Sequence, residues 1–197
     1  MDHFKQIETS TIFTIGHSSL DTESFIRLLK DNSIDIVVDV RSNPYSRYAP
    51  QFSKNNIQDS METNSIKYLF LGKELGGKPS GREYYDSRGY VLYSKIADAL
   101  SFKKGIKRLI KGTRAYRIAL MCSEENPANC HRMLLIGRVL ADNGVKTLHI
   151  RSDARIQSDD DIIDESNKLK NRNGQQQLFR DIDKPDWKSA QPVKRNR

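Results

Sequence analysis

Short apolar runs alternate with longer amphipathic ones along the chain. "STIFTIGHS" (10–18) is β-branched and aromatic and ends at Gly16, which predicts a first strand with His17 just beyond its end. From about Thr22 to Asp31, Phe25, Leu28 and Leu29 recur at helical spacing, with Thr22 as the expected N-cap. "IDIVVDV" (34–40) is the nearly continuous apolar run of a strand buried on both faces, and Arg41 follows it directly. "NPYSRYAPQF" (43–52) contains two prolines and reads as loop. "IKYLFLG" (66–72) predicts a third strand and leads into the glycine-rich "GKELGGKPSG" (72–81). The stretch 84–113 turns helical in its second half. "YRIALMC" (116–122) is a fourth strand, and "KTLHI" (146–150) a fifth. Between them "CHRMLLIGRVLADNG" (130–144) is a helix that Asn129 is expected to cap and Asn-Gly to end.

Strands alternating with helices predict a three-layer α/β domain over residues 11–152, with a largely parallel five-stranded sheet and helices on both faces. Parallel strands end on one edge, and open sheets of this kind bind ligands outside those carboxyl ends. His17, Arg41, Lys73 and Cys122 all fall at or just after strand ends, so they are expected to gather there. Asp39, near the end of an apolar strand, is expected to pair with an arginine or cap a loop, because an unpartnered buried carboxylate is costly. Gly72, Gly76 and Gly77 allow a close ligand approach but fit simple turn-making equally well. Residues 153–197 are polar and mixed in charge, which predicts a flexible or loosely docked C-terminal tail with Leu178, Phe179 and Trp187 as isolated anchors.

Composition narrows the class. Apolar residues are 37% and charged residues 29% of the chain, and no apolar run approaches the roughly 18 residues of a membrane span. The first residues contain acidic groups and no apolar core of a secretory signal, so a cytoplasmic protein is expected, with no membrane partner and no structural disulfide. The formal net charge is +8, a surplus that attracts phosphate-bearing ligands. Seven basic residues and no acidic one lie between Lys103 and Arg117. They read as a solvated helix face or as a nucleic-acid patch.

The two cysteines of the chain lie in "CSEENPANCHR" (122–132), together with a histidine and an arginine. Cys122 closes a strand and Cys130 opens a helix, whose positive end favours a thiolate or an anion. One reading makes Cys122 or Cys130 a nucleophile, with His131 or His17 carrying protons and Glu124 as orienting acid. A second makes Arg41, Arg47 and Arg132 the holders of a phosphate or carboxylate. A third is zinc. The C-x7-C-H spacing departs from the common knuckles, and neighbours on a helix point about 100° apart, so no metal and no cofactor are expected. The plainest alternative is Cys122 packing as a small apolar side chain. "GKELGGK" has neither Walker nor dinucleotide-binding spacing.

The sequence resembles the family catalogued as domain of unknown function 488. The resemblance lies in "TIGHS" (14–18), "DVRSNPYSR" (39–47), "GKELGGK" (72–78) and "ALMCSEENPANCHR" (119–132), with "LHI" (148–150) following in place. It covers Thr14 to about Ser152 and leaves the tail outside. It implies a small α/β domain whose signature residues here are His17, Arg41, Pro44, Cys122, Glu124, Cys130, His131 and Arg132. The expected function is binding of a phosphate-bearing ligand, in an enzyme acting on a nucleotide or nucleic acid, as a cysteine-dependent hydrolase or transferase. The alternative is a non-catalytic module that binds nucleic acid or a partner through the basic segment and the tail.

Overall fold

The computed structural model describes residues 10–172 and 187–193, the side chains of 169–172 excepted. Five strands are mutually parallel: β1 (Thr11–Gly16), β2 (Ile36–Asp39), β3 (Lys67–Phe70), β4 (Ile118–Cys122) and β5 (Lys146–Ile150). A sixth, β6 (Ile156–Ser158), pairs antiparallel with β5, one strand more than the sequence predicted. The order is β3-β2-β4-β1-β5-β6. The fold is therefore the expected α/β class.

Side-chain alternation divides the core in two. Phe13 and Ile15 of β1, Val37 of β2 and Met121 of β4 face α1 (Thr22–Asp31) and α2 (Lys54–Thr63), with Phe25, Leu29, Ile57 and Met61 opposite them. Ile12, Val38, Leu120 and Cys122 face the other layer. That layer holds α3 (Gly72–Leu75), α4 (Tyr93–Asp98), α5 (Leu100–Gly112) and α6 (Arg138–Asp142), the last preceded by a π-helical stretch, Arg132–Gly137. The period of two along β4 thus points Cys122 toward the second layer, at the end of its strand. Asp21, one residue before Thr22, caps α1, its carboxylate accepting from the Ser24 amide at 2.7 Å.

Beyond residue 152 the chain adds β6 and α7 (Asp159–Arg172), whose Ile162 packs on Ala128 and Met133. Trp187 packs against the second layer: its indole N–H donates to the Leu134 carbonyl at 2.7 Å, and Tyr93 meets its ring edge-on. Leu178 and Phe179 lie outside the described residues. Among the described residues no helix is long and apolar enough to cross a membrane.

Candidate functional site

In register, Gly16 of β1 lies beside Cys122 of β4, and Asp39 of β2 beside Met121. The segments leaving these three strands therefore emerge together, as parallel pairing requires. After Cys122 the loop 123–126 crosses over β1. A Cβ at Gly16 would lie 1.8 Å from the Glu124 carbonyl oxygen, so the crossing needs glycine there. Asn126 then caps a single 3-10 turn, Pro127–Asn129, by accepting from the Ala128 amide at 3.0 Å. Asn129, the expected cap, does not cap the next helix. Cys130 is extended (φ −120, ψ 141), and its carbonyl accepts from the amides of Met133 and Leu134 at 3.1 and 3.0 Å.

This local path overturns the 100° separation expected of Cys130 and His131. Because Cys130 precedes the helix, its side chain and that of His131 converge. His131 Nδ1 lies 3.7 Å from Cys130 Sγ and 3.8 Å from Cys122 Sγ. Its Nε2 lies 3.0 Å from the Val40 carbonyl oxygen. A carbonyl only accepts, so Nε2 bears a proton and donates it, and Nδ1 faces both sulfurs. Gly77 packs on this ring: a Cβ there would lie 2.5 Å from Cγ of His131. The donor atoms of Cys122, Cys130 and His131 all lie within 4.8 Å of one another, which makes them, among the described residues, a group able to hold a metal ion.

The two thiols differ. The Cys130 thiol, as hydrogen-bond partner, holds Cys122 well below the usual thiol range, assisted by His131 and, from farther off, Arg132, against the opposing effect of burial. Cys130 is pushed up, first by burial and then by the neighbouring Cys122 sulfur. Any thiolate in the pair therefore resides on Cys122. Both cysteines are free and buried, Cys122 6% and Cys130 2% exposed.

Cys122, Cys130 and His131 line a cavity of about 590 Å³. Arg41, Lys78 and Glu124 contribute to its walls, as do Val91, Tyr93 and the C-terminal segment 189–193. Ser189 fixes that segment, its amide donating to the Val91 carbonyl and its hydroxyl accepting from the Val91 amide. Depressions between β6 and α7 and between α1 and α2 contain neither cysteine nor histidine in their walls.

The remaining expected residues are placed as follows. Arg41 grips Asp39 with Nε at 2.9 Å and Nη2 at 2.7 Å, both groups buried, as the cost of a lone carboxylate requires. Its Nη1 donates to Nε2 of His17 at 3.2 Å, so His17 donates from Nδ1 to the Ser18 carbonyl. Burial, then the Arg41 charge, lowers the His17 pKa, and its ring stacks on Phe52. His17 thus reaches the cavity through Arg41. Glu124 is exposed on the rim, and Arg47 is exposed in the loop after β2. Arg132 is fully buried. One Nη2 hydrogen bond ties it to the Glu125 carbonyl, while Nε and Nη1 have no hydrogen-bond partner among the described residues. Lys73 is exposed on α3, and Lys78 takes the wall position.

Some contributors carry no signal that sequence reasoning used. Glu125, not Glu124, forms the fixed ion pair, accepting from Nε and Nη2 of Arg151 at 2.8 Å each and so tying the crossing loop to the end of β5. The wall formed by 189–193 was foreshadowed only by the lone Trp187.

A parallel α/β sheet with a cysteine–cysteine–histidine cluster at its carboxyl edge defines the class. The chain belongs to the family described as Domain of unknown function DUF488, whose family model matches residues 21–139. That span contains "DVRSNPYSR", "GKELGGK" and "ALMCSEENPANCHR", while the "TIGHS" and "LHI" segments flank it. No curated protein matches the chain, and no solved structure matches it.

Proposed function

We propose that the protein is an enzyme in which the Cys122 sulfur attacks an electrophilic centre of an anionic, phosphate-bearing substrate seated in the cavity. The observation that carries this reading is Nδ1 of His131 facing the sulfur of Cys122 in the cavity lining, with Nε2 anchored on the Val40 carbonyl. In the reaction His131 holds the proton given up by Cys122, the thiolate sulfur bonds to the electrophile as the bond to the leaving group breaks, and the leaving group departs with that proton. Water then releases the acyl or phosphoryl group in a hydrolase, or a second acceptor takes it in a transferase. Lys78 and Arg41 supply positive charge at the wall, and the net charge of +8 attracts an anion over longer range. The Met133 and Leu134 amides are satisfied by Cys130, so the side chains rather than the helix end are the anion's partners.

The test is alkylation of the native, metal-free protein with neutral iodoacetamide and anionic iodoacetate, located by mass spectrometry. Cys122 is expected to label before Cys130. Relative to a free thiol such as glutathione, the rate ratio is expected to favour iodoacetate, and inorganic phosphate or a nucleotide is expected to slow labelling. If neither cysteine labels until the protein unfolds, the nucleophile reading fails.

A further inference from the structure

The donor cluster at the cavity floor has a geometry that thiol catalysis does not require. A tetrahedral zinc ion sits about 2.3 Å from a thiolate sulfur and about 2.0–2.1 Å from an imidazole nitrogen, which puts sulfur and nitrogen ligands about 3.5 Å apart. His131 Nδ1 lies 3.8 Å from Cys122 Sγ and 3.7 Å from Cys130 Sγ, and all three donor atoms fall within 4.8 Å of one another. Two sulfurs on the same ion lie about 3.8 Å apart, so contraction of the nitrogen–sulfur distances by a few tenths of an ångström, and of the sulfur–sulfur distance by no more than about 1 Å, closes three ligands around one ion. The outer shell has the form that metal-binding histidines use: the non-ligating ring nitrogen donates to a backbone carbonyl, here Val40 at 3.0 Å, which fixes both tautomer and ring direction. Gly77 against the ring keeps it from turning away. Nδ1 therefore points at the two sulfurs before any ion arrives.

We propose that Cys122, Cys130 and His131 form a binding site for a thiophilic divalent cation, zinc, with the fourth coordination position open to the cavity. Two thiolates and one neutral imidazole suit zinc and disfavour magnesium and calcium, which take oxygen ligands. Two thiolates also cancel the charge of Zn²⁺, so the buried centre is electrically neutral once loaded. All three ligands line the same cavity, so the fourth ligand is water or a substrate atom, the open arrangement of catalytic rather than structural zinc. Zinc site and nucleophile share Cys122 and His131, but the metal proposal also requires Cys130, and it stands whether or not the free thiol is catalytic.

The experiment uses the full chain, reduced and stripped with a chelator, then titrated with Co²⁺ under anaerobic conditions. One equivalent is expected to produce the intense visible bands of tetrahedral cobalt together with thiolate-to-cobalt charge transfer in the near ultraviolet, and Zn²⁺ to bleach both. Cys130→Ser and His131→Gln are each expected to weaken binding by more than the roughly 10–100-fold that outer-shell changes cost. Should those variants fold poorly, zinc protection of the wild type supplies the second readout: one equivalent is expected to slow alkylation of both cysteines at least tenfold. A weak octahedral cobalt spectrum together with no zinc protection overturns the proposal. The two readings separate cleanly. Metal-free protein that labels at Cys122 yet takes no metal sinks the zinc site alone. Protein that binds metal but whose stripped thiols stay inert sinks the nucleophile alone.

Discussion

Replacing Asp39 with asparagine tests the wall on which the site rests. Asp39 is fully buried at the end of β2 and accepts four hydrogen bonds: from the amide of Arg41 at 3.0 Å, from its Nε at 2.9 Å and Nη2 at 2.7 Å, and from the Tyr68 hydroxyl at 2.7 Å. Asparagine preserves the shape and one acceptor oxygen. It removes the charge, however, and turns an amide NH₂ toward either the Arg41 amide and Nε or Arg41 Nη2 and the Tyr68 hydroxyl, so a guanidinium donor faces a donor in both orientations. Arg41, only 4% exposed, is then a buried charge without its counter-ion. Breaking a buried pair from one side costs about 3–5 kcal/mol. For a chain of this size each kcal/mol lowers Tm by roughly 2–4 °C, so Asp39→Asn is expected to melt roughly 6–20 °C below wild type. Removing both charges in Asp39→Asn/Arg41→Met is expected to recover most of that loss, because the desolvation cost disappears with the pair. Calorimetry or a circular-dichroism melt reads both. A single-variant loss under about 1 kcal/mol, or a double variant less stable than the single one, would refute the pair as a source of stability at the strand end.

Two further outcomes follow from other parts of the fold. His149, buried between Thr14 and Asp159, has its pKa lowered first by desolvation and also by Arg132 and Arg151, against the raising effect of Asp159. It is neutral in the fold while the unfolded chain binds a proton below about pH 6.5, so its contribution is present above that pH and is lost as pH falls toward the lowered folded value. Urea midpoints at pH 7.5 and 5.5 are expected to drop less for His149→Gln than for wild type, and equal drops would contradict this. Trp187→Ala removes the hydrogen bond to Leu134 and the stacking of Arg138 on the indole at 4.4 Å, so residues 189–193 are expected to leave the cavity wall. Faster amide exchange there and faster labelling of Cys122 would show it, and unchanged values for both would count against the docking.

What the sequence made legible follows from what each element buries. β2 and β4 are covered on both faces, so their continuous apolar runs could be read directly, and parallel pairing then carried His17, Arg41 and Cys122 to one edge. β6 escaped because an edge strand of three residues is held by backbone bonds and buries only Gln157. α7 escaped because its apolar contact is little more than Ile162 on Ala128 and Met133. Within the site, the Asp39–Arg41 pair was legible from the cost of a lone carboxylate. The ring direction of His131 was not, since it depends on a carbonyl 91 residues away. The position of Arg132 was not either: whether that guanidinium reaches solvent depends on the gap left over Gly16, where an added Cβ would lie 2.5 Å from Nη1. Local pattern located the chemistry; long-range packing decided which donors face one another.

The same distinction governs the positive charge. The run from Lys103 to Arg117 reads as a patch, but α5 buries Phe102, Gly105, Ile106 and Leu109 along one side, which requires its lysines to occupy the other. Several of these cations are already engaged: Lys103 with Asp98 at 3.2 Å, Arg108 with Glu74 at 3.3 Å, and Arg117 over the Phe13 ring while it donates to the Asn32 carbonyl at 2.7 Å. Exposed pairs of this kind contribute little to stability, but they also leave less charge free for a rigid phosphate contact. Attraction from the net +8 therefore acts over distance, raising the encounter rate of an anion without choosing it. Selection falls to the groups beside the sulfur. There Lys78 is exposed, Arg41 is held by Asp39, and Arg132 lies beneath the loop. On the proposed reading, a cavity lined by so few mobile cations suits one compact anionic group beside the thiols better than an extended polyphosphate.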